Sequence, residues 1–174
     1  MRKEALVPED LRKRSPSGLL RLLLRLPIWL YRLRLGFLLG NRFLMLTHTG
    51  RKSGLARQTV LEVVRYDPTS KVCIIASGWG ETSNWLRNIE NTSEVMVTLG
   101  TRRSAGTAIR LSPDAVQQEL MGYARRHPVA FRRLAASKLA SVPTDDAEAG
   151  RSLTPLIPMF ALRPLWKQTG RHDR

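Results

Sequence analysis

The chain has 174 residues, 43% of them hydrophobic, which suits one domain with a modest core. Its 29 basic residues against 14 acidic ones give a formal charge of +15 and point to an anionic partner: nucleic acid, an acidic membrane surface or a negatively charged small molecule. Cys73 is the only cysteine; this excludes an intrachain disulfide, its apolar surroundings suggest a buried, inert thiol, and a reducing cytoplasm is the default compartment.

In chain order, residues 1–17 are polar and basic. They are charged from the start, no small-residue cleavage site follows, and no cleavable signal peptide is read. Residues 19–39 are leucine-rich, with Pro27 inside and Arg21, Arg25, Arg32 and Arg34 spread along them. Each arginine would cost about 2.5–3.5 kcal/mol at the centre of a membrane span, so the segment is not read as transmembrane. It reads instead as one or two amphipathic helices broken near Pro27, with Arg21, Arg25 and Arg32 on one face. Such a helix can pack on the domain, with its arginines in water. It can also rest on anionic lipid as a peripheral contact, or line a cavity for a greasy substrate. The chain thus divides into a basic N-terminal segment (1–40), a main domain (41–165) and a basic tail (166–174).

Residues 43–47 form a short apolar run, and 59–66 are rich in β-branched residues; both read as strands. Asp67-Pro68-Thr69-Ser70 is a turn, and residues 71–77 form a third strand buried on both faces. A loop at 78–82 leads to a short helix, capped by Ser83 or Asn84, that carries Trp85, Leu86 and Ile89. Residues 94–99 and 103–111 are strands four and five, joined by Gly100-Thr101-Arg102. Ser112-Pro113-Asp114 opens a helix to about 126, and His127-Pro128 opens another to about 139. Residues 141–150 read as a polar, mobile loop. A last strand at 156–162 is expected at a sheet edge, because it contains Pro158. Short connections between strands two to five favour hairpins. The fold class is α+β, a six-stranded antiparallel barrel with peripheral helices, rather than a doubly wound parallel sheet.

The segment richest in chemistry is Gly50-Arg51-Lys52-Ser53-Gly54, followed by Arg57. Two glycines allow positive-φ backbone, and successive amides can then form a nest for anionic oxygens. Arg51, Lys52 and Arg57 add positive charge, and Ser53 adds a hydroxyl. The spacing is not that of a Walker loop, and a merely basic hairpin turn would look the same. A second loop, Ala76-Ser77-Gly78-Trp79-Gly80, ends a buried strand where backbone can approach a flat ring. Asn84 can reach a ring edge, and Trp79 or Trp85 can pack beside it, although Trp85 also suits the core. His48, His127 and His172 are far apart in sequence, no metal-ligand spacing is present, and no G-x-S-x-G elbow occurs. Sparse acids, bases and nucleophiles fit chemistry carried by an organic cofactor.

Three blocks together resemble the deazaflavin-dependent nitroreductase family. They are Leu46-Thr47-His48-Thr49-Gly50-Arg51-Lys52-Ser53-Gly54-Leu55-Ala56-Arg57, Ile75-Ala76-Ser77-Gly78 and Asn84-Trp85-Leu86-Arg87-Asn88-Ile89. The similarity spans about 42–111 and includes the late strand at 156–164. It implies a split β-barrel that binds coenzyme F420, whose phosphodiester and oligoglutamate tail match the basic loop. Arg51, Lys52, Ser53, Gly54 and Arg57 would hold phosphate and tail. Thr47, Ala76, Ser77, Gly78 and Trp79 would line the ring, with Asn84 and Trp85 nearby. A hydride would then pass to a small electron acceptor: a quinone, a nitroaromatic or an activated alkene. His48 stands where the family more often has threonine, and the loop after Ser77 is shorter than in the best-known members. Tyr123, His127 and Phe131 are the substrate-side candidates. The competing readings are an FMN-dependent split barrel, a non-catalytic carrier of F420 or another polyanion, and a nucleic-acid module. The last lacks a recognition helix or an exposed aromatic strand motif, so no nucleic-acid partner is expected. A homodimer is compatible with the family.

Overall fold

The computed structural model describes residues 42–165; the expectations for residues 1–40 and 166–174 lie outside them. Among the described residues there are six strands, β1 (Phe43–Thr49), β2 (Ala56–Tyr66), β3 (Cys73–Ala76), β4 (Glu94–Leu99), β5 (Arg102–Arg110) and β6 (Met159–Pro164), and four α-helices, one between β3 and β4 and three between β5 and β6. The helices are α1 (Asn84–Asn91), α2 (Pro113–Arg126), α3 (Pro128–Lys138) and α4 (Asp146–Leu153). The strands close into a barrel in the order β1-β2-β3-β6-β5-β4, and every pairing is antiparallel.

Alternation along each strand divides inside from outside. In β4, Val95, Val97 and Leu99 are buried while Glu94, Met96 and Thr98 face away. The barrel interior is built from Leu44, Leu46, Cys73, Ile75, Phe160 and Leu162, with Leu86 and Ile89 of α1 closing one end. Each fully buried side chain of this size stabilises the fold by about 1.5–3 kcal/mol. Cys73 is wholly enclosed, and burial pushes its thiol up to about 11, so it is an inert core residue.

A second core forms on the outside of β3 and β6, where Ile74, Met159 and Ala161 meet α2, α3 and α4. Ser112 caps α2 by accepting a hydrogen bond from the Ala115 amide, and Pro113 fits its first turn. Val116, Leu120 and Ala124 recur every four residues and form the buried face of that helix. The Arg65 guanidinium clamps Glu119 with contacts of 2.6 and 3.0 Å, tying β2 to α2.

Two expectations need correction. The polar stretch 141–150 is not a loop throughout: Asp145 accepts from the amides of Ala147 and Glu148 and starts α4. Ala149, Gly150 and Leu153 give that helix a small, buried face. The last strand is not at an edge either. Pro158 just precedes β6, where it needs no ladder donor, and β6 lies between β3 and β5.

Candidate functional site

The basic loop follows β1 and turns back into β2. Gly50 anchors it: its amide donates to Leu55 O at 2.8 Å, and its carbonyl accepts from the Ser53 and Gly54 amides at 3.1 and 2.8 Å. Only Gly54 of the two glycines has positive φ, at 66°. Gly50 is favoured for another reason, since a Cβ there would sit 2.9 Å from Ser53 Oγ and 3.2 Å from Leu55 O, so the serine would have to turn and the loop would be tight. The loop tip leaves Lys52, Ser53 and Arg57 exposed.

Arg51 is held more firmly. Asn88 Oδ1 accepts both the Arg51 amide and its Nη1, each at 3.1 Å, and Asn84 Oδ1 accepts Nη1 and Nη2 at 3.4 Å. With its oxygen so engaged, the Asn88 amide nitrogen faces His48 and donates to Nδ1 at 3.1 Å. His48 is therefore neutral at that nitrogen. Burial lowers its pKa, a backbone hydrogen bond at Thr49 opposes the change, and the Arg57 charge adds to the lowering. Asn88 and His48 are both buried and link α1 to β1 beneath the loop.

These residues wall a groove of about 570 Å³ that contains Arg51, Lys52, Ser53, Arg57, Asn84, Trp79 and Trp85, together with His48, Gln58, Thr59, Ser83 and Asn88. Among the described residues, no acidic one lines it. Trp79 stands 75% exposed at its mouth, whereas Trp85 packs edge-to-face on Phe160 with ring centroids 6.2 Å apart. Trp85 thus serves both core and groove.

The second loop is pinned from within. Ser77 Oγ donates to Gly80 O at 2.8 Å, so the Ser83 hydroxyl, 2.6 Å away, donates to Ser77. Ser77 is buried and spent on this closure. Ala76 and Gly78 open on the other side, into an apolar pocket of about 180 Å³ lined by Val64, Leu120, Tyr123 and Leu134. Burial and the Glu62 charge raise the Tyr123 pKa, Arg42 opposing, which keeps the phenol protonated. Its ring lies 5.1 Å from that of His127, which is exposed.

The predicted residues therefore separate. Arg51, Lys52, Ser53, Arg57, Trp79, Asn84 and Trp85 gather in the groove, and Ala76, Gly78 and Tyr123 in the apolar pocket. Gly54 shapes the loop without lining either cavity. Thr47 lines neither one, and Phe131 is fully buried in the helical core. Asn88 was not singled out from sequence, although it stands in the third block; a buried amide that bridges Arg51 and a neutral His48 has no one-residue signature.

The cation-lined groove and apolar pocket fit a long, partly anionic cofactor. A family model described as F420H(2)-dependent quinone reductase matches residues 25–143, more than half of the chain. The chain belongs to this family. The reductase is therefore an F420-dependent enzyme on a split-barrel fold. Among solved structures it is similar to a pyridoxamine 5'-phosphate oxidase-related, FMN-binding protein from Nostoc punctiforme, at 15% identity and TM-score 0.51 over 80% of each chain. It is also similar to a protein of unknown function from Agrobacterium tumefaciens, at 19% identity and TM-score 0.50, covering 80% of this chain and 55% of that one. An F420-H2 dependent reductase matches at 19% identity and TM-score 0.46, over 71% of this chain and 95% of that chain. No curated protein matches the chain. The residues of this reductase suit F420 at the groove: three basic side chains, an exposed tryptophan and a loop closed tightly at Gly50.

Proposed function

We propose that this reductase reduces a quinone-class acceptor held in the apolar pocket, with the anionic part of F420 held in the groove. The observation that carries the reading is adjacency: Gly78 lines the pocket and its neighbour Trp79 lines the groove. A ring placed at this loop would have cations on one side and an apolar chamber on the other. F420, when bound, supplies a hydride from its reduced deazaflavin ring.

The chain's own residues supply the rest. Arg51, prepositioned by Asn84 and Asn88, would hold the phosphodiester by charge, and Lys52, Ser53 and Arg57 would hold the tail carboxylates. Trp79 and Trp85, which line the groove, would hold the ring, and the Ser77–Ser83 bond keeps the loop backbone there rigid. Leu120, Leu134 and Val64 exclude water from the acceptor. Tyr123 offers a protonated phenol to a quinone oxygen as that oxygen gains negative charge.

The test follows F420H2 oxidation with menadione as acceptor and, in parallel, F420 binding by fluorescence. Leu134→Trp should fill the pocket and raise the quinone KM about tenfold, with F420 affinity unchanged. An unchanged KM would remove the acceptor from this pocket. Binding of F420 without turnover by quinone, nitroaromatic or activated alkene would favour a carrier.

A further inference from the structure

Of the two histidines among the described residues, His127 stands in solvent and His48 is buried, 6% exposed, on β1 beneath the basic loop. The His48 ring belongs to the wall of the groove but has no part in the binding described above. The charges that face it are of one sign. Arg57 of β2 stands directly across the ladder, and Arg51 follows on the loop. From α1 the ring meets Asn88; the charged residues of that helix are engaged elsewhere, Arg87 with the Glu81 carbonyl and Glu90 with Arg110. On β4, Glu94 is exposed. Among the described residues, no carboxylate faces the ring to hold a proton on it.

The Asn88 amide sits between this ring and Arg51 and can satisfy both in one orientation only. The Arg51 amide and guanidinium donate and cannot accept, so Oδ1 turns to them and accepts both at 3.1 Å. Nδ2 is left for His48 Nδ1, 3.1 Å away, which accepts only while it carries no proton. A proton on Nδ1 would set three donors around one carbonyl oxygen. Asn88 would then give its oxygen to the ring and lose Arg51, or keep Arg51 and press two donors together. Asn88 is itself only 6% exposed, so either choice is costly. Asn84 is a weak substitute, since it is exposed and holds the guanidinium at 3.4 Å.

We infer that His48 is a positioning residue for the cofactor grip: its unprotonated Nδ1 fixes the Asn88 amide, which aims Arg51 into the groove, so that protonating His48 loosens the grip. This rests on the reading that Arg51 meets the anionic part of F420. Sign separates the relay from plain electrostatics. A positive charge added beside the groove would by itself tighten binding of an anion as pH falls. Arg51 would touch the anion whereas the ring lies beneath the loop, so the lost aim outweighs the added charge and binding weakens. By linkage, bound F420 holds His48 neutral to lower pH, whereas plain attraction would raise its midpoint. Burial, opposed by a backbone hydrogen bond at Thr49 and aided by the Arg57 charge, already sets that midpoint below the ordinary 6.5.

The test titrates the full chain with F420 by fluorescence from pH 8 to pH 5, beside His48→Asn, whose side-chain carbonyl can stand in for Nδ1 and does not titrate. Wild-type affinity should fall about three- to tenfold across this range relative to the variant, ionisation of F420 being common to both. The same profile in both proteins, or tighter binding by the wild type at low pH, overturns the inference. Nitrogen NMR of the wild type without cofactor supplies a second measurement. His48 Nδ1 should lack a proton at neutral pH, and the Asn88 side-chain amide and Arg51 Nε–H signals should shift with the His48 midpoint. A protonated Nδ1, or Asn88 and Arg51 signals indifferent to the His48 titration, overturns it as well. F420 affinity unmoved by Arg51→Ala would instead sink the cofactor reading, and the NMR signals would still decide the relay.

Discussion

The groove beside Arg51 and the pocket beside Tyr123 share the loop at 77–80 and little else. Among the described residues the groove carries three basic side chains and no acid, and its volume of about 570 Å³ is threefold that of the pocket, about 180 Å³. The pocket is walled mostly by apolar side chains, with the protonated Tyr123 phenol and Glu62 as its polar members. The contrast separates two tasks. Charge and fixed hydrogen bonds hold a cofactor that must stay, whereas shape and dryness admit an acceptor that must come and go. Substitutions on the two sides should therefore act on different constants.

The largest effect is expected at Arg51. Arg51→Ala removes charge-assisted donors and frees Asn84 and Asn88, so F420 affinity should fall about 10–100-fold in a fluorescence titration. The quinone KM, measured at saturating cofactor, should be unchanged; a large rise would merge the two cavities functionally. Leu134→Trp should do the reverse, raising KM about tenfold with F420 affinity intact. Lys52→Ala and Arg57→Ala act on exposed charges and should each weaken F420 about 2–5-fold at low salt, with the difference fading at high salt.

The smallest effect concerns pH. His48 is held neutral, with its pKa below the ordinary 6.5. Its contribution to stability is full above that value. As pH drops further the unfolded chain takes up the proton first, and stability falls until the lowered folded pKa is passed. Tm measured from pH 8 to pH 5 should show this decline, and His48→Gln should flatten it; an equal slope in both proteins would refute the assignment.

Local signals made much of the barrel legible. Alternation between two turns marks β4, and Ser112-Pro113 marks the start of α2. The missed helix α4 has a buried face of Ala149, Gly150 and Leu153, too small to stand out among Asp145, Asp146 and Glu148. The place of β6 between β3 and β5 depends on partners far away in sequence, and Pro158 suggests an edge only if it lies within the strand. In the site, the basic loop was readable because charge and glycine are local. The division into two cavities was not, because it depends on which way Ala76, Ser77, Gly78 and Trp79 each point. The face of Thr47 follows from strand parity, which puts it on the outward row of β1 beside Met45.

The central claim is that the cation-lined groove grips the anionic part of F420. It is tested most directly by titrating the wild-type enzyme with F420 of long and short glutamate tails, and with a tail-less deazaflavin, across a salt series. Affinity should fall with salt, most steeply for the longest tail and least for the tail-less ring. The same affinity and salt slope for all three would contradict it.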